Sequence, residues 1–185
     1  APGLSTVPNA LVGRCWPAVF AAIGSATTDT GFPVVEGLLS LVHLDHADDL
    51  DLVTEALQAG FTSIMYDGSR LPAEENLAST AAVVRDARAA GVSVEAELGE
   101  IGGKNGVHDP SVRTDPAEAA EFVAATGVDL LAVAVGSSHA MTTRGAVLDT
   151  DLIAAIAAAV DVPLVLHGSS GVSDEGMRAA IRAGM

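Results

Sequence analysis

Continuous apolar runs alternate with stretches of helical spacing from about residue 39 onward. Runs rich in Val, Ile and Leu around 39–46, 61–66, 92–98, 128–135 and 162–167 are predicted to be strands. The intervening segments, near 48–59, 73–90, 115–126, 149–159 and 173–183, repeat apolar residues at helical intervals. "LLAVAVG" and "PLVLHG" show no polar alternation, as expected of parallel strands covered on both faces. Strand alternating with helix predicts right-handed βαβ units and a parallel sheet.

A weak repeat supports these boundaries. "QAGFTS", "AAGVSV", "ATGVDL" and "RAGM" each place a glycine (Gly60, Gly91, Gly127, Gly184) just past a predicted helix. That position favours the left-handed conformation that satisfies the last helical carbonyls. The first three copies lead directly into a strand, so another strand is expected to begin at Met185 and the natural chain to continue with at least one helix. Five or six strands could complete a doubly wound sheet, whereas a closed (β/α)8 barrel usually takes about 250 residues. Residues 1–38 are the least readable part, with a helix near 16–26 and an extended "FPVVEG" as expectations. The whole of 1–185 is read as one partial domain.

Composition narrows the functional classes. A net charge of −15 argues against nucleic-acid and anionic-membrane surfaces, which need clustered Lys and Arg. An anionic substrate would require a local source of positive potential. The single Cys15 excludes a disulfide framework and fits a reducing, cytoplasmic setting. The most apolar N-terminal run, Cys15 to Ile23, is too short to span a membrane.

The chemistry gathers at strand ends. Asp45 and His46 close the first clear strand and Asp67 the second; Glu95 and Glu97 lie in the third. His139 follows the fourth, and His167 ends the fifth. Ligands bind at the C-terminal ends of parallel strands in both barrels and open sheets. Three imidazoles converging on one rim suit a catalytic zinc with an open fourth position. "HGSSG", His167 to Gly171, offers small residues at a strand-to-helix turn where backbone N–H groups can cradle a phosphate. The glycine-rich segment 99–116 reads as a mobile lid, with His108 solvated within it.

From residue 39 to 185 the chain resembles the class II, zinc-dependent ketose-bisphosphate aldolases, which include the fructose- and tagatose-1,6-bisphosphate enzymes. The resemblance rests on "HLDH", "GFTSIMYDGSRLPAEEN", "GVSVEAELGEIGG", "TDPAEAAEFVAATGVDLLAVAVGSSHA" and "VDVPLVLHGSSGV", in family order and spacing. It implies a (β/α)8 TIM barrel in which the clear strands are numbers three to seven and the eighth is absent from these residues.

The resemblance also assigns roles. His46, His139 and His167 would hold zinc, and Asp45 would be the catalytic acid/base. His43 would be a packed, hydrogen-bonded support, and Asp48, Asp49 and Asp51 the acidic first turn of a helix. Asp67 and Glu97 match positions linked to a second or alternative site for a divalent or monovalent cation. Gly168, Ser169 and Ser170 match the substrate phosphate loop, to which the backbone of Ala140 would add. The implied reaction splits a ketose 1,6-bisphosphate into dihydroxyacetone phosphate and glyceraldehyde 3-phosphate, with fructose 1,6-bisphosphate the first choice and tagatose 1,6-bisphosphate the second. A homo-oligomer, dimer or tetramer, is expected. Schiff-base chemistry is disfavoured, because the one lysine, Lys104, lies in the glycine-rich loop.

Three departures qualify the match. Ala140 stands where the family often has glycine, and "KNGVHD" replaces the usual acidic lid, leaving the group that handles the enediolate carbon proton unassigned. The first-strand motif is not found either. A competing expectation is therefore a non-catalytic barrel subunit that stabilises an aldolase partner.

Overall fold

The computed structural model describes residues 42–101 and 112–185. The expectations for 1–38, the start of the first strand, Lys104 and His108 fall outside those residues. Within them the chain forms strands β1 (His43–Ala47), β2 (Ser63–Tyr66), β3 (Ser93–Leu98), β4 (Leu130–Val133) and β5 (Leu164–Val165). Helices α1 (Leu50–Ala59), α2 (Ala73–Ala89), α3 (Pro116–Thr126), α4 (Thr150–Ala159) and α5 (Asp174–Ala183) follow them in turn.

All four strand pairings are parallel, and the order across the sheet is the order in the sequence. That order decides between the two architectures left open above. A doubly wound sheet reverses direction and puts helices on both faces. Here the order never reverses, and each helix packs on the next, α1 on α2 through α4 on α5. Five successive βα units with one helical layer form the arc of a (β/α)8 barrel.

Local chemistry explains the boundaries. Asp49 caps α1, its carboxylate accepting from the N–H groups of Asp51 and Leu52. Asp115 caps α3 with Pro116 in the first turn, and Asp149 and Ser173 cap α4 and α5. The four repeat glycines all adopt positive φ, from +70° to +120°. β4 and β5 pair over fewer residues than their apolar runs suggested. In β5, Pro163 still accepts from Leu131 N–H but has no N–H to donate, so the ladder starts after it.

The sheet has two unlike faces. Ile64, Tyr66, Val94, Ala96, Leu131, Val133 and Leu164 join residues of the helices in one continuous core. At about 25 cal/mol per Å² of apolar surface removed from water, this layer supplies the main driving force for folding. The alternate positions, among them Ser63, Met65, Glu95, Glu97 and Ala132, point to the opposite, inner face. Among the described residues no helix is long and apolar enough to cross a membrane.

Candidate metal centre

The inner face is built upward from a break in alternation. Consecutive strand residues point to opposite faces, so Asp45 and His46 should diverge. Leu44 pairs with Ile64, yet Ala47, three residues on, pairs with Tyr66, only two beyond Ile64. One extra residue in β1 is a bulge. His46 absorbs it with φ +49°, a left-handed conformation costing a non-glycine residue about 1–2 kcal/mol. Leu44 and Ala47 both stay in the core, which leaves Asp45 and His46 to share the inner rim. The strain is what places a carboxylate and an imidazole side by side.

Three carboxylates and three rings then interlock. His46 Nδ1 lies 2.9 Å from Asp67 Oδ2 and 3.9 Å from Glu97 Oε2. The second oxygen of each acid is held elsewhere: Ser69 Oγ–H and N–H donate to Asp67 Oδ1, at 2.6 and 3.2 Å, and Ile101 N–H donates to Glu97 Oε1 at 2.9 Å. His167 Nε2 sits 2.7 Å from Glu95 Oε1. Glu95 and Glu97 are 6 % and 0 % exposed, two apart on β3 and therefore on one face. The edge of His46 meets His139 and His167 with ring centroids 4.9 and 4.4 Å away.

The facing nitrogens give the chemistry. With Asp67 and Glu95 as carboxylates, His46 Nδ1 and His167 Nε2 are the N–H donors, as in carboxylate–histidine–metal arrangements. That leaves His46 Nε2 and His167 Nδ1 pointing lone pairs at each other across 3.0 Å. Two lone pairs at that distance require a cation or a proton between them. Burial pushes the His167 imidazolium down, but the Glu95 hydrogen bond and the charges of Glu95, Asp45 and Glu97 outweigh it and raise the pKa above its ordinary value.

A metal fits the same gap. Two nitrogens bound to tetrahedral zinc at about 2.0–2.1 Å lie ~3.4 Å apart, close to the observed separation. The ligand atoms of His46, His139 and His167 all lie within 4.8 Å of one another, as do those of His46, Asp67 and Glu97. Both trios share His46 but use opposite edges of its ring.

The remaining sequence-derived residues lie around this centre. Asp45 is exposed on the rim, with His43 Nε2 3.9 Å from its carboxylate and Ser63 Oγ 2.9 Å from His43 Nδ1. Gly168 (φ +67°) opens a short 3-10 turn, Ser169–Gly171. Ser173 Oγ accepts from Gly176 N–H, so the first turn of α5 is partly satisfied by its own cap. Ala140 takes φ +58°, which accounts physically for a preference for glycine there. The sequence places Glu95 in the third strand but assigns it no role; its two-residue spacing from Glu97 is the signal for a shared face.

The β4–α4 and β5–α5 loops are tied together. A Cβ on Gly168 would lie 2.6 Å from the Ser138 carbonyl carbon, and one on Gly171 would lie 2.8 Å from Met141 Cβ. Ala146 N–H donates to Gly171 O at 2.9 Å, Ala146 bridges to Val172, and Arg144 pairs with Asp174. His139 and the Gly168–Ser170 turn thus sit on one packed unit.

Comparison with known proteins adds to this geometry. A family model for class-II fructose-bisphosphate aldolase matches residues 18–185. The chain is 41% identical over 169 residues to the 6-phospho-5-dehydro-2-deoxy-D-gluconate aldolase of Shouchella clausii (strain KSM-K16), covering 90% of this chain and 56% of that protein. Among solved structures, the YdjI aldolase from Escherichia coli K12 is 39% identical with a TM-score of 0.68, over 78% of this chain and 51% of that one. The fructose-bisphosphate aldolase of Campylobacter jejuni shares the fold, at 24% identity and a TM-score of 0.68, over 94% of this chain and 58% of that one. The chain spans about half the length of the relatives it matches.

Proposed function

Because the chain belongs to the class II fructose-bisphosphate aldolase family, we propose that the protein carrying it is a zinc-dependent aldolase acting on a phosphorylated ketose. The observation that carries this reading is the confrontation of His46 Nε2 and His167 Nδ1, beside His139 and an accessible Asp45. His46, His139 and His167 hold the metal, and Asp67 and Glu95 orient two of the rings. A bound divalent cation supplies Lewis-acid stabilisation of the negative charge that develops on the ketone oxygen.

The protein's own groups do the rest. The Gly168–Ser170 turn holds the phosphate next to the ketone. Asp45 accepts the proton of the hydroxyl on the carbon that leaves as aldehyde. The bond between that carbon and its neighbour breaks, its electron pair stays on the ketone half, and protonation of that half at carbon completes the second product. Asp67 and Glu97, with His46, form an alternative cation position on the other edge of the shared ring.

Fructose 1,6-bisphosphate is the first substrate, giving dihydroxyacetone phosphate and glyceraldehyde 3-phosphate, with tagatose 1,6-bisphosphate next. A second reading is favoured by the Shouchella clausii relative, whose named substrate carries a phosphate beside the keto carbon and a carboxylate at the far end. The test is Asp45→Asn in the full-length protein. Zinc content should stay at the wild-type level while cleavage falls about 10²- to 10⁴-fold. Near-normal cleavage by the variant would sink the acid/base role. Tight zinc binding by a wild type that cleaves no ketose phosphate would favour the non-catalytic subunit instead.

A further inference from the structure

The buried stripe of α2 differs from the apolar layer it faces. Asn76, Thr80, Val83, Val84 and Ala87 lie along it, and the first two are polar although only 3 % and 0 % exposed. Asparagine and threonine are poorer helix formers than leucine or alanine. Replacing two buried hydrogen-bonding partners by apolar groups of the same shape can be neutral or stabilising. Fold stability alone would be served as well by two aliphatic side chains.

The amide has a definite target. Asn76 Nδ2 donates to the backbone carbonyl of Glu97 at 3.2 Å. A carbonyl can only accept, so Nδ2 must face β3, which leaves Oδ1 for another donor. Thr80 Oγ1–H donates to that Oδ1 at 3.0 Å. Thr54, Ser79 and Thr126 also sit in helices, and each returns its hydroxyl to the carbonyl four residues back. Thr80 instead bonds the Asn76 side chain and holds the amide against flipping. The amide also rests on the β2–α2 loop: a Cβ on Gly68 would collide with Asn76 Oδ1, so only a residue without a side chain admits this approach. One side chain thus touches Glu97 near the end of β3 and the residue that follows Asp67 after β2. Those two acids flank His46 Nδ1, with Asp67 Oδ2 at 2.9 Å and Glu97 Oε2 at 3.9 Å. Ser69 and Ile101 fix how the carboxylates turn, and Asn76 fixes how far apart their backbones stand.

We infer that Asn76, locked by Thr80, is a positioning residue for the metal centre: it sets the spacing of Asp67 and Glu97 and thereby the orientation of the His46 ring. This role rests on the reading of His46 as a metal ligand and deepens it, because it carries the support of the centre from the strands into α2. A ring fixed through Nδ1 presents its Nε2 lone pair along one line, so less order has to be created when a metal binds.

The experiment strips the full-length protein of metal and titrates it with zinc against a chelator, with Asn76→Leu, Thr80→Val and Thr80→Ser beside the wild type. Asn76→Leu should weaken zinc binding per folded molecule roughly 10-fold, the low end for residues that support ligands. Thr80→Val removes the hydroxyl at nearly constant volume and should weaken it about 3-fold, while Thr80→Ser should restore wild-type affinity. Nitrogen NMR of the metal-free proteins is the second readout, one that a packing role would not move. His46 Nδ1 should be fully protonated in the wild type and only partly so in Asn76→Leu and Thr80→Val. If Asn76→Leu does not fold, the two Thr80 variants decide. Unchanged zinc affinity and an unchanged His46 spectrum overturn the inference, whatever the melting temperature does. A loss in Thr80→Ser as large as in Thr80→Val overturns it too. Neither readout involves turnover, so a zinc-loaded wild type that cleaves no ketose phosphate strikes the aldolase reading alone.

Discussion

Along β2 and β3 the side chains facing the helices, Ile64, Tyr66, Val94 and Ala96, are apolar and packed into the common core. Their immediate neighbours on the other face include Met65, Glu95 and Glu97, and the two glutamates are buried as deeply as the core itself. The difference is one of tolerance. On the helix side volume is what counts, because aliphatic groups of similar size offer similar transfer energy. On the inner side Asp67 Oδ1 and Oδ2, Glu95 Oε1 and Glu97 Oε1 each have a fixed partner, and a change of charge or donor there leaves a buried group unmet. Stability and chemistry are thereby separated by one residue of spacing.

The largest effect expected from breaking this division comes from His167→Ala. It should lose zinc and cleavage together while the circular dichroism of the fold persists; stoichiometric zinc in that variant would show that the inner face does not hold the metal. Ile64→Ala should do the reverse. It should lower unfolding free energy by about 2–5 kcal/mol in urea titrations, with metal per folded molecule unchanged. Glu95→Gln keeps the shape but removes the carboxylate from His167, and should weaken zinc binding roughly 10- to 100-fold in a chelator competition. The smallest effect belongs to Ala140→Gly. Relief of about 1–2 kcal/mol of left-handed strain is offset by ~0.4–1 kcal/mol of added unfolded-chain entropy, so melting should shift upward only slightly.

The helix-facing layer was legible because burial imposes a period on the sequence. Leu131, Val133 and Leu164 sit in apolar runs that could hardly be anything but strand, and the capping aspartates and repeat glycines marked the turns between them. The gathering of His46, His139 and His167 was legible in outline, since strand ends share a rim. What gave no signal was register. Nothing in "HLDHA" shows that β1 carries an extra residue, because a bulge is defined only by the partner strand. Strand order was likewise open until pairing was seen.

The bulge at His46 has a consequence for how this stretch can vary over evolutionary time. Between Leu44 and Ala47 the chain counts two residues where a regular strand would count one. Deleting either Asp45 or His46 would restore ordinary pairing, and would leave a single side chain where two are needed. An added residue would rotate the pair away from the rim or push Ala47 out of the core. Point substitutions of Leu44 and Ala47 need mainly respect size, but insertions and deletions here change which side of the sheet the following residue sees. Drift in this family member should therefore preserve the length of this segment more strictly than the identity of its flanks, a pattern that a library of single-residue indels across 42–49 would expose directly.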